Sequence, residues 1–373
     1  MPIRVLLVED SQIALVILKR ILNSSPHIEV VGEARTGLDA LALIPEVEPD
    51  VICTDLHMPK MDGLTFTSEV MARYPRPILV ISASVQEEDD HHVFQLLEAG
   101  AVDIFPKPLS GLELNNASFR EELINKVKIL SGVKVVTRRQ KSLRPIKTPS
   151  PRSVPVFPPD SYTNPKIVTI GASTGGPSAL YDLFAQLPAN FPVPVICVQH
   201  IGFGFLQGLI DWLAGGCALP IMIAQPGEIP RPGRIYFPPE RYHLELDTRG
   251  RFVCSDTPPL GGHRPSVTLT FTSVVKVYGQ GTVGILLTGM GRDGAEGMLA
   301  IAAAGGFTIA QDEATSVVFG MPREAINLGA ARQVLPMQAI APTLLNLFQL
   351  NPPDMDASRS VTRTNNTRHS KTR

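Results

Sequence analysis

Short apolar runs alternate with longer amphipathic ones from residue 3 to about 131, and this rhythm limits what the chain can fold into more than any other feature. Val5-Leu6-Leu7-Val8 reads as a buried strand, and Ser11 to Leu22 repeats its apolar residues at helical spacing. Ile28 to Val31, Val51 to Thr54, Ile78 to Ile81 and Val102 to Phe105 are further strands. Helical segments fall near 37–46, 63–73, 87–98 and 118–130. Strand-helix units in that order predict an α/β fold with a parallel sheet covered on both faces. The crossovers are right-handed, and the ligand site lies outside the carboxyl ends of the strands.

The composition changes between about 132 and 165. Pro145, Pro149, Pro151, Pro155, Pro158, Pro159 and Pro165 fall there with seven basic residues, and Asp160 is the only acid. This reads as a flexible, basic linker without a core of its own. A nucleic-acid arm is the sharper reading, but no aromatic residues interleave with the charges. A second rhythm begins at Ile167-Val168-Thr169-Ile170. Strands recur near 194–198, 220–223, 234–237, 243–246, 251–254, 283–287 and 307–310, with helices near 176–186, 203–214, 266–278, 295–304, 322–329 and 339–349. The stretch from 220 to 254 is rich in Pro and Gly and reads as antiparallel strands and turns, while the rest reads as doubly wound. Residues 351–373 are polar and read as a disordered tail. The expected organisation is a first domain over 1–131, the linker over 132–165 and a second domain over 166–350, followed by the tail.

The formal net charge of -1 gives no bias toward nucleic acid or a membrane surface. Cys53, Cys197, Cys217 and Cys254 have neither metal-ligand spacing nor a disulfide pattern, which fits a reducing, cytoplasmic compartment. No signal peptide is evident, and no apolar run reaches membrane-spanning length.

Two strand ends carry acids. Glu9-Asp10 follows the first strand and Asp55 follows the third, so a parallel sheet gathers these carboxylates on one edge. They repel unless a cation joins them, and Mg²⁺ is the usual partner of carboxylate, water and phosphate oxygens. Ser82 and Lys107 follow the next two strands and supply the hydroxyl and ammonium that a phosphoryl oxygen needs. A cis Lys107-Pro108 bond would be one way to aim the lysine inward. Val8-Glu9-Asp10-Ser11, Asp55-Leu56-His57-Met58-Pro59-Lys60-Met61-Asp62-Gly63-Leu64, Ser82-Ala83 and Phe105-Pro106-Lys107-Pro108 together resemble the receiver domain of bacterial response regulators over residues 2–125. The resemblance implies a flavodoxin-like (βα)5 fold and phosphorylation of Asp55 by a histidine kinase. It also implies Mg²⁺ held by Asp10, Asp55 and the His57 carbonyl, with Glu9 acting directly or through water. Ser82 and Phe105 are then the residues that switch with the phosphate.

Ile170-Gly171-Ala172-Ser173-Thr174-Gly175-Gly176-Pro177 joins a strand to a helix. Small residues permit a sharp turn, and a serine exposed at a helix N-terminus sits where free N–H groups favour negative charge. The segment satisfies G-x-S-x-G, although such turns more often bind phosphate or only turn the chain. A serine needs a base, and His200 ends the next strand, while Asp293 lies just past another. His243 and His263 compete as bases: His243 sits among alternating leucines in an expected hairpin, and His263 opens a helix and could line the cleft. Residue geometry leaves this choice open.

Gly171-Ala172-Ser173-Thr174-Gly175-Gly176-Pro177, Val198-Gln199-His200, His263-Arg264-Pro265-Ser266-Val267, Leu287-Thr288-Gly289-Met290-Gly291-Arg292-Asp293-Gly294, Gln311-Asp312-Glu313-Ala314 and Val318-Phe319-Gly320-Met321-Pro322 resemble, in order, the catalytic domain of the chemotaxis protein-glutamate methylesterase family. That resemblance implies Ser173 as nucleophile, His200 as base and Asp293 as its orienter, with backbone N–H groups near Thr174 and Met290 forming the oxyanion hole. It implies methyl-accepting chemotaxis receptors as substrate, a chemotaxis kinase as phosphodonor, glutamine deamidation as a companion activity, and no cofactor for the ester reaction. The chain departs from the family at Ile201-Gly202-Phe203-Gly204-Phe205, where a proline is usual, and at Thr268, where an acid is common. Alternative expectations are a receptor-array adaptor or phosphate sink, a DNA-binding regulator and a broad small-ester hydrolase. The Ser, His, Asp chain order opposes the last.

Overall fold

The computed structural model describes residues 1–83, 90–108, 116–135 and 165–350. The tail and most of the expected linker lie outside them. The first sheet is built from β1 (Ile3–Val8), β2 (Ile28–Ala34), β3 (Val51–Thr54), β4 (Ile78–Ser82) and β5 (Asp103–Pro106). Its order is β2-β1-β3-β4-β5, and every pairing is parallel. The helices are α1 (Gln12–Leu22), α2 (Gly37–Val47), α3 (Gly63–Arg73), α4 (Asp90–Ala99) and α5 (Ala117–Leu130). Their starts follow from capping: Ser11, Thr36, Asp62 and Asn116 each accept a backbone N–H three residues on. Strands β3 and β4 are buried along their whole length because helices cover both faces. The strand order reverses between β1 and β3, so a crevice opens at the carboxyl ends of those two strands.

The second sheet uses β6 (Ile167–Ala172), β7 (Val195–Gln199), β8 (Ile221–Ile223), β9 (Ile235–Phe237), β12 (Thr282–Leu286), β13 (Phe307–Gln311) and β14 (Gln333–Leu335). The order is β14-β13-β12-β6-β7-β9-β8, again parallel. An antiparallel pair, β10 (His243–Leu246) with β11 (Phe252–Ser255), stands apart from it. The helices are α6 (Gly176–Phe184), α7 (Leu206–Ala214), α8 (Val267–Tyr278), α9 (Ala295–Ala303), α10 (Met321–Asn327) and α11 (Met337–Leu347). The α/β expectation holds for both halves. The antiparallel reading of 220–254 holds only for its second part, because β8 and β9 are parallel members of the main sheet. Each is three residues long between prolines and glycines, too short to show a period. Strand β14, absent from the sequence reading, is a short, partly exposed edge strand with no apolar run to announce it.

The strand order of this sheet reverses at β6, so its crevice lies at the carboxyl ends of β6, β7 and β12. The two sheets also share packed surface. Helix α4 lies on α7, with the Trp212 ring stacked between Phe94 (centroids 5.6 Å) and Tyr181 (4.8 Å). The Trp212 indole N–H donates to Glu98 at 2.8 Å. Phe271, fully buried in α8, packs on α9 where Gly297 leaves no side chain between them. Phe271→Ala is expected to cost about 3–5 kcal/mol, as a lost buried aromatic does. A urea denaturation midpoint close to that of the native chain would contradict this packing.

Candidate active site

The chain turns from β6 into α6 through Ser173-Thr174-Gly175, all buried. Gly175 caps the helix at φ 75°, a left-handed conformation that favours glycine, and Val317 packs where a side chain would stand. The Ser173 N–H donates to the Thr288 carbonyl at 3.0 Å, and the Ser173 carbonyl accepts from Gly176 at 2.7 Å. Gln199 ends β7, and its side-chain amide donates to the carbonyls of both Ser173 and His200 at 2.8 Å each. This buried glutamine therefore ties the serine turn to the strand end that carries His200. Sequence reasoning assigned it no role. The signal available was a polar residue closing the otherwise apolar Val195-Ile196-Cys197-Val198.

His200 Nε2 lies 3.0 Å from Asp293 Oδ2. An ionised carboxylate only accepts, so Nε2 carries the proton and Nδ1 holds the lone pair. Nδ1 is buried and has no hydrogen-bond partner among the described residues. Asp293 also accepts from the N–H groups of Val267 (2.7 Å) and Thr268 (3.0 Å) and from Ser266 Oγ (2.9 Å). The carboxylate thus sits on the N-terminus of α8, where the helix dipole favours negative charge. Burial opposes ionisation, but the hydrogen bond and charge of His200 and the two backbone donors outweigh it. They hold Asp293 well below the usual carboxylate range.

The departure at Thr268 has a structural use. Its hydroxyl accepts from the Gly294 N–H at 2.7 Å and pins the loop that carries Asp293. His243 is fully buried, with Nδ1 accepting from the Ser266 N–H at 3.1 Å and Nε2 3.3 Å from the Pro258 carbonyl. It supports α8 and does not compete as a base. Thr174 is buried and Met290 is exposed, and no hydrogen bond among the described residues engages either backbone N–H. Two free donors near a serine turn suit a developing oxyanion.

The other crevice gathers the expected acidic residues. Glu9, Asp10 and Asp55 have carboxylate oxygens within 4.8 Å of one another. Lys107 Nζ donates to Asp55 Oδ2 (2.7 Å) and pairs with Glu9 Oε1 (2.8 Å). Glu9 Oε1 also accepts from Ser11, whereas its Oε2 is buried without a partner. Burial, then the Asp55 charge, raises the Glu9 pKa from an ordinary 4.5 to about 7. The Lys107 pKa is raised too: burial opposes its charge, but the bonds to Asp55 and Glu9 prevail. One ammonium does not balance three carboxylates, and the orphaned oxygen is an open acceptor, so the donor set fits a hard divalent cation. His57 is exposed two residues beyond Asp55. Ser82 is buried at the end of β4, and Phe105 is fully buried with its ring 5.0 Å from that of Phe119. The Lys107–Pro108 bond is not cis. A bond from the Lys107 N–H to the Ser82 carbonyl at 2.7 Å carries the β5 line into the pocket and aims the lysine without it.

A doubly wound α/β unit with a part-buried His–Asp pair beside a serine turn, preceded by a five-stranded unit with an acidic pocket, defines a class: a receiver-type domain coupled to a hydrolase-like domain. Family models agree on both parts. The description "CheB methylesterase" matches residues 168–344, and "Response regulator receiver domain" matches residues 5–118. A protein-glutamate methylesterase/protein-glutamine glutaminase of Nitrosospira multiformis is 41% identical over 92% of this chain and 97% of its own. A Myxococcus xanthus relative with the same description, numbered 4, is 40% identical over 93% of this chain and 98% of its own. The crystal structure of the Thermotoga maritima CheB methylesterase catalytic domain is 38% identical, with a TM-score of 0.48, and covers 50% of this chain and 100% of that one. The chain belongs to the protein-glutamate methylesterase/protein-glutamine glutaminase family.

The raised Glu9 pKa has a consequence for stability. Between pH 4.5 and about 7 the unfolded chain has lost this proton and the folded chain keeps it, so stability falls as pH rises through that window. With metal chelated, the melting temperature is expected to drop across this range, and Glu9→Gln is expected to flatten the drop. A slope unchanged in the variant would show that other groups cause it.

Proposed function

We propose that the chain is a phosphorylation-activated serine esterase. It removes methyl esters from glutamate side chains of methyl-accepting chemotaxis receptors, deamidates receptor glutamines, and so resets signalling in chemosensory adaptation. The observation that carries this reading is the buried, unpartnered Nδ1 of His200, opposite an Nε2 bonded to Asp293, on the strand end tied by Gln199 to the serine turn. Ser173 attacks the ester carbonyl while His200 takes its proton through Nδ1, and Asp293 fixes the tautomer and stabilises the imidazolium. The N–H groups of Thr174 and Met290 receive the oxyanion, a contribution of about 2.7–4 kcal/mol per donor in comparable sites. His200 returns the proton to the departing methanol. Water, activated in the same way, then releases the carboxylate. Ammonia takes the place of methanol in the glutamine reaction.

The reading extends to regulation. Asp55 is the phosphoacceptor and a chemotaxis histidine kinase the donor. Asp10, Asp55 and the His57 carbonyl would hold Mg²⁺, with Glu9 indirect. The ion, when bound, neutralises the charge of the transferred phosphoryl group. Ser82 and Lys107 take the phosphoryl oxygens, and Phe105 turns with them. The ester reaction needs no cofactor. Functional domains over 1–131 and 166–350 and a cytoplasmic location complete it. The contact of Pro106 with Gly202, two residues past His200, and of α4 with α7 supports a first domain that restricts access until Asp55 is phosphorylated.

Methanol release from methylated receptor fragments, with a small phosphodonor and Mg²⁺, tests the chemistry. Ser173→Ala is expected to lower it by at least ~10³-fold, and Asp55→Asn to keep a basal rate that no longer responds to phosphodonor. Release that persists in Ser173→Ala would remove the esterase mechanism. A second measurement reads the domain contact. Trp212 is the sole tryptophan, so its emission is expected to shift to longer wavelength on phosphodonor addition, and not in Asp55→Asn. Unchanged emission in a chain whose activity rises would exclude opening at α4 and α7.

A further inference from the structure

The proposed reaction uses one histidine, yet a second lies flat upon it. His263 and His200 have ring centroids 4.1 Å apart and planes within 2° of parallel. The chain fixes His263 there from both sides. Leu260 and His263 exchange two backbone hydrogen bonds, 3.1 and 3.0 Å, across Gly261 and Gly262, whose φ values of 60° and 89° close a tight turn. On the other side, Arg264 Nη1 donates to the carbonyls of Asp256 (2.6 Å) and Thr257 (3.2 Å), and Ser266 caps α8 and donates to Asp293. The stack is therefore built by the same loop that seats the carboxylate.

From this geometry we infer that His263 is a positioning residue: its neutral, planar face holds the His200 ring in line with Asp293 and stabilises the imidazolium that forms during ester cleavage. The inference rests on the proposed esterase mechanism and adds to it a residue outside the Ser, His, Asp set. Physical chemistry supplies two parts of the argument. A cation over the face of an aromatic ring is attracted by it, more so where water is excluded. A second cation in that place would instead repel the charge developing on His200. Burial, then the charge of His200, lowers the His263 pKa from 6.5 to about 4, with Asp293 opposing. His263 is therefore uncharged through the neutral range and offers His200 a face rather than a charge. The charged groups that act on the pair are Asp293 and, from α5, Glu122.

The test compares His263→Phe, which keeps a planar ring, with His263→Leu, which keeps bulk without one, in the full-length chain. Two readouts are followed from pH 5 to 9: methanol release under phosphodonor, and the rate at which a fluorophosphonate reagent labels Ser173. The second needs the serine and its base but not the receptor. His263→Leu is expected to lose ten-fold or more in kcat and in labelling rate, with KM little changed, and the acid limb of its pH profile should move to lower pH values as the imidazolium loses the face that stabilises it. His263→Phe is expected to recover most of the labelling rate. Unfolding curves for both variants separate a lost fold from lost chemistry. If folded His263→Leu labels as fast as the native chain, or folded His263→Phe fails as badly as His263→Leu, the inference is overturned. If the native chain labels on Ser173 but releases no methanol, the receptor-ester reading fails. The Phe and Leu labelling rates still decide the role of His263.

Discussion

The catalytic half is organised around one carboxylate. Asp293 arrives on a loop after β12, His200 arrives at the end of β7, and α8 points its N-terminus between them. A lone buried carboxylate would be severely destabilising. Here four donors from two chain segments meet it: the His200 ring, two α8 amides and the Ser266 hydroxyl. The same bonds fix the start of α8, the His200 tautomer and the lone pair that faces away from Asp293. Local capping, electrostatics and base chemistry are therefore one arrangement, and removing any donor disturbs all three.

The acidic pocket of the first sheet has the opposite character. Asp293 is fully supplied with donors, whereas Glu9 and Asp55 share a single lysine beside the Asp10 carboxylate, and one Glu9 oxygen is buried with no partner. A site whose charges are balanced holds its geometry across conditions. A site with unbalanced charge responds to cations, protons and phosphoryl groups. The two crevices arise in the same way, at reversals of strand order in parallel sheets, so the difference lies in the side chains at the strand ends and not in the fold.

This division explains what the sequence made legible. Strand-end residues could be read because a parallel sheet sends all carboxyl ends to one edge: Glu9, Asp55, Ser82 and Lys107 around one crevice, Ser173, His200 and Asp293 toward the other. Long buried strands could be read from unbroken apolar runs. The parallel pairing of three-residue β8 and β9 could not, nor β14 at all, since such pairing is set by neighbours rather than by pattern. Bonds between segments distant in sequence were also out of reach. Nothing in Gln199 alone says that its amide spans two carbonyls, nor in Thr268 that its hydroxyl anchors Gly294 twenty-six residues away. Residue type announced the chemistry of the site, and only three-dimensional contact revealed what holds it in place.

The contact between the two sheets bears on what phosphorylation could change in the proposed function. His200 and Asp293 are already bonded, and the Ser173 turn is already tied to His200, with the first domain packed alongside. An activation that assembled the His200–Asp293 pair would have nothing left to assemble. The contacts that could shift lie elsewhere. Phe105 packs on Phe119, and Val317, which covers Gly175 behind the serine, packs against the same apolar cluster. A turn of Phe105 would loosen that cluster at the surface of the serine turn while the bonds to Asp293 stayed intact. Access to Ser173, rather than the competence of His200, is the quantity such a coupling would control. This follows from which contacts are saturated with hydrogen bonds and which are held only by packing.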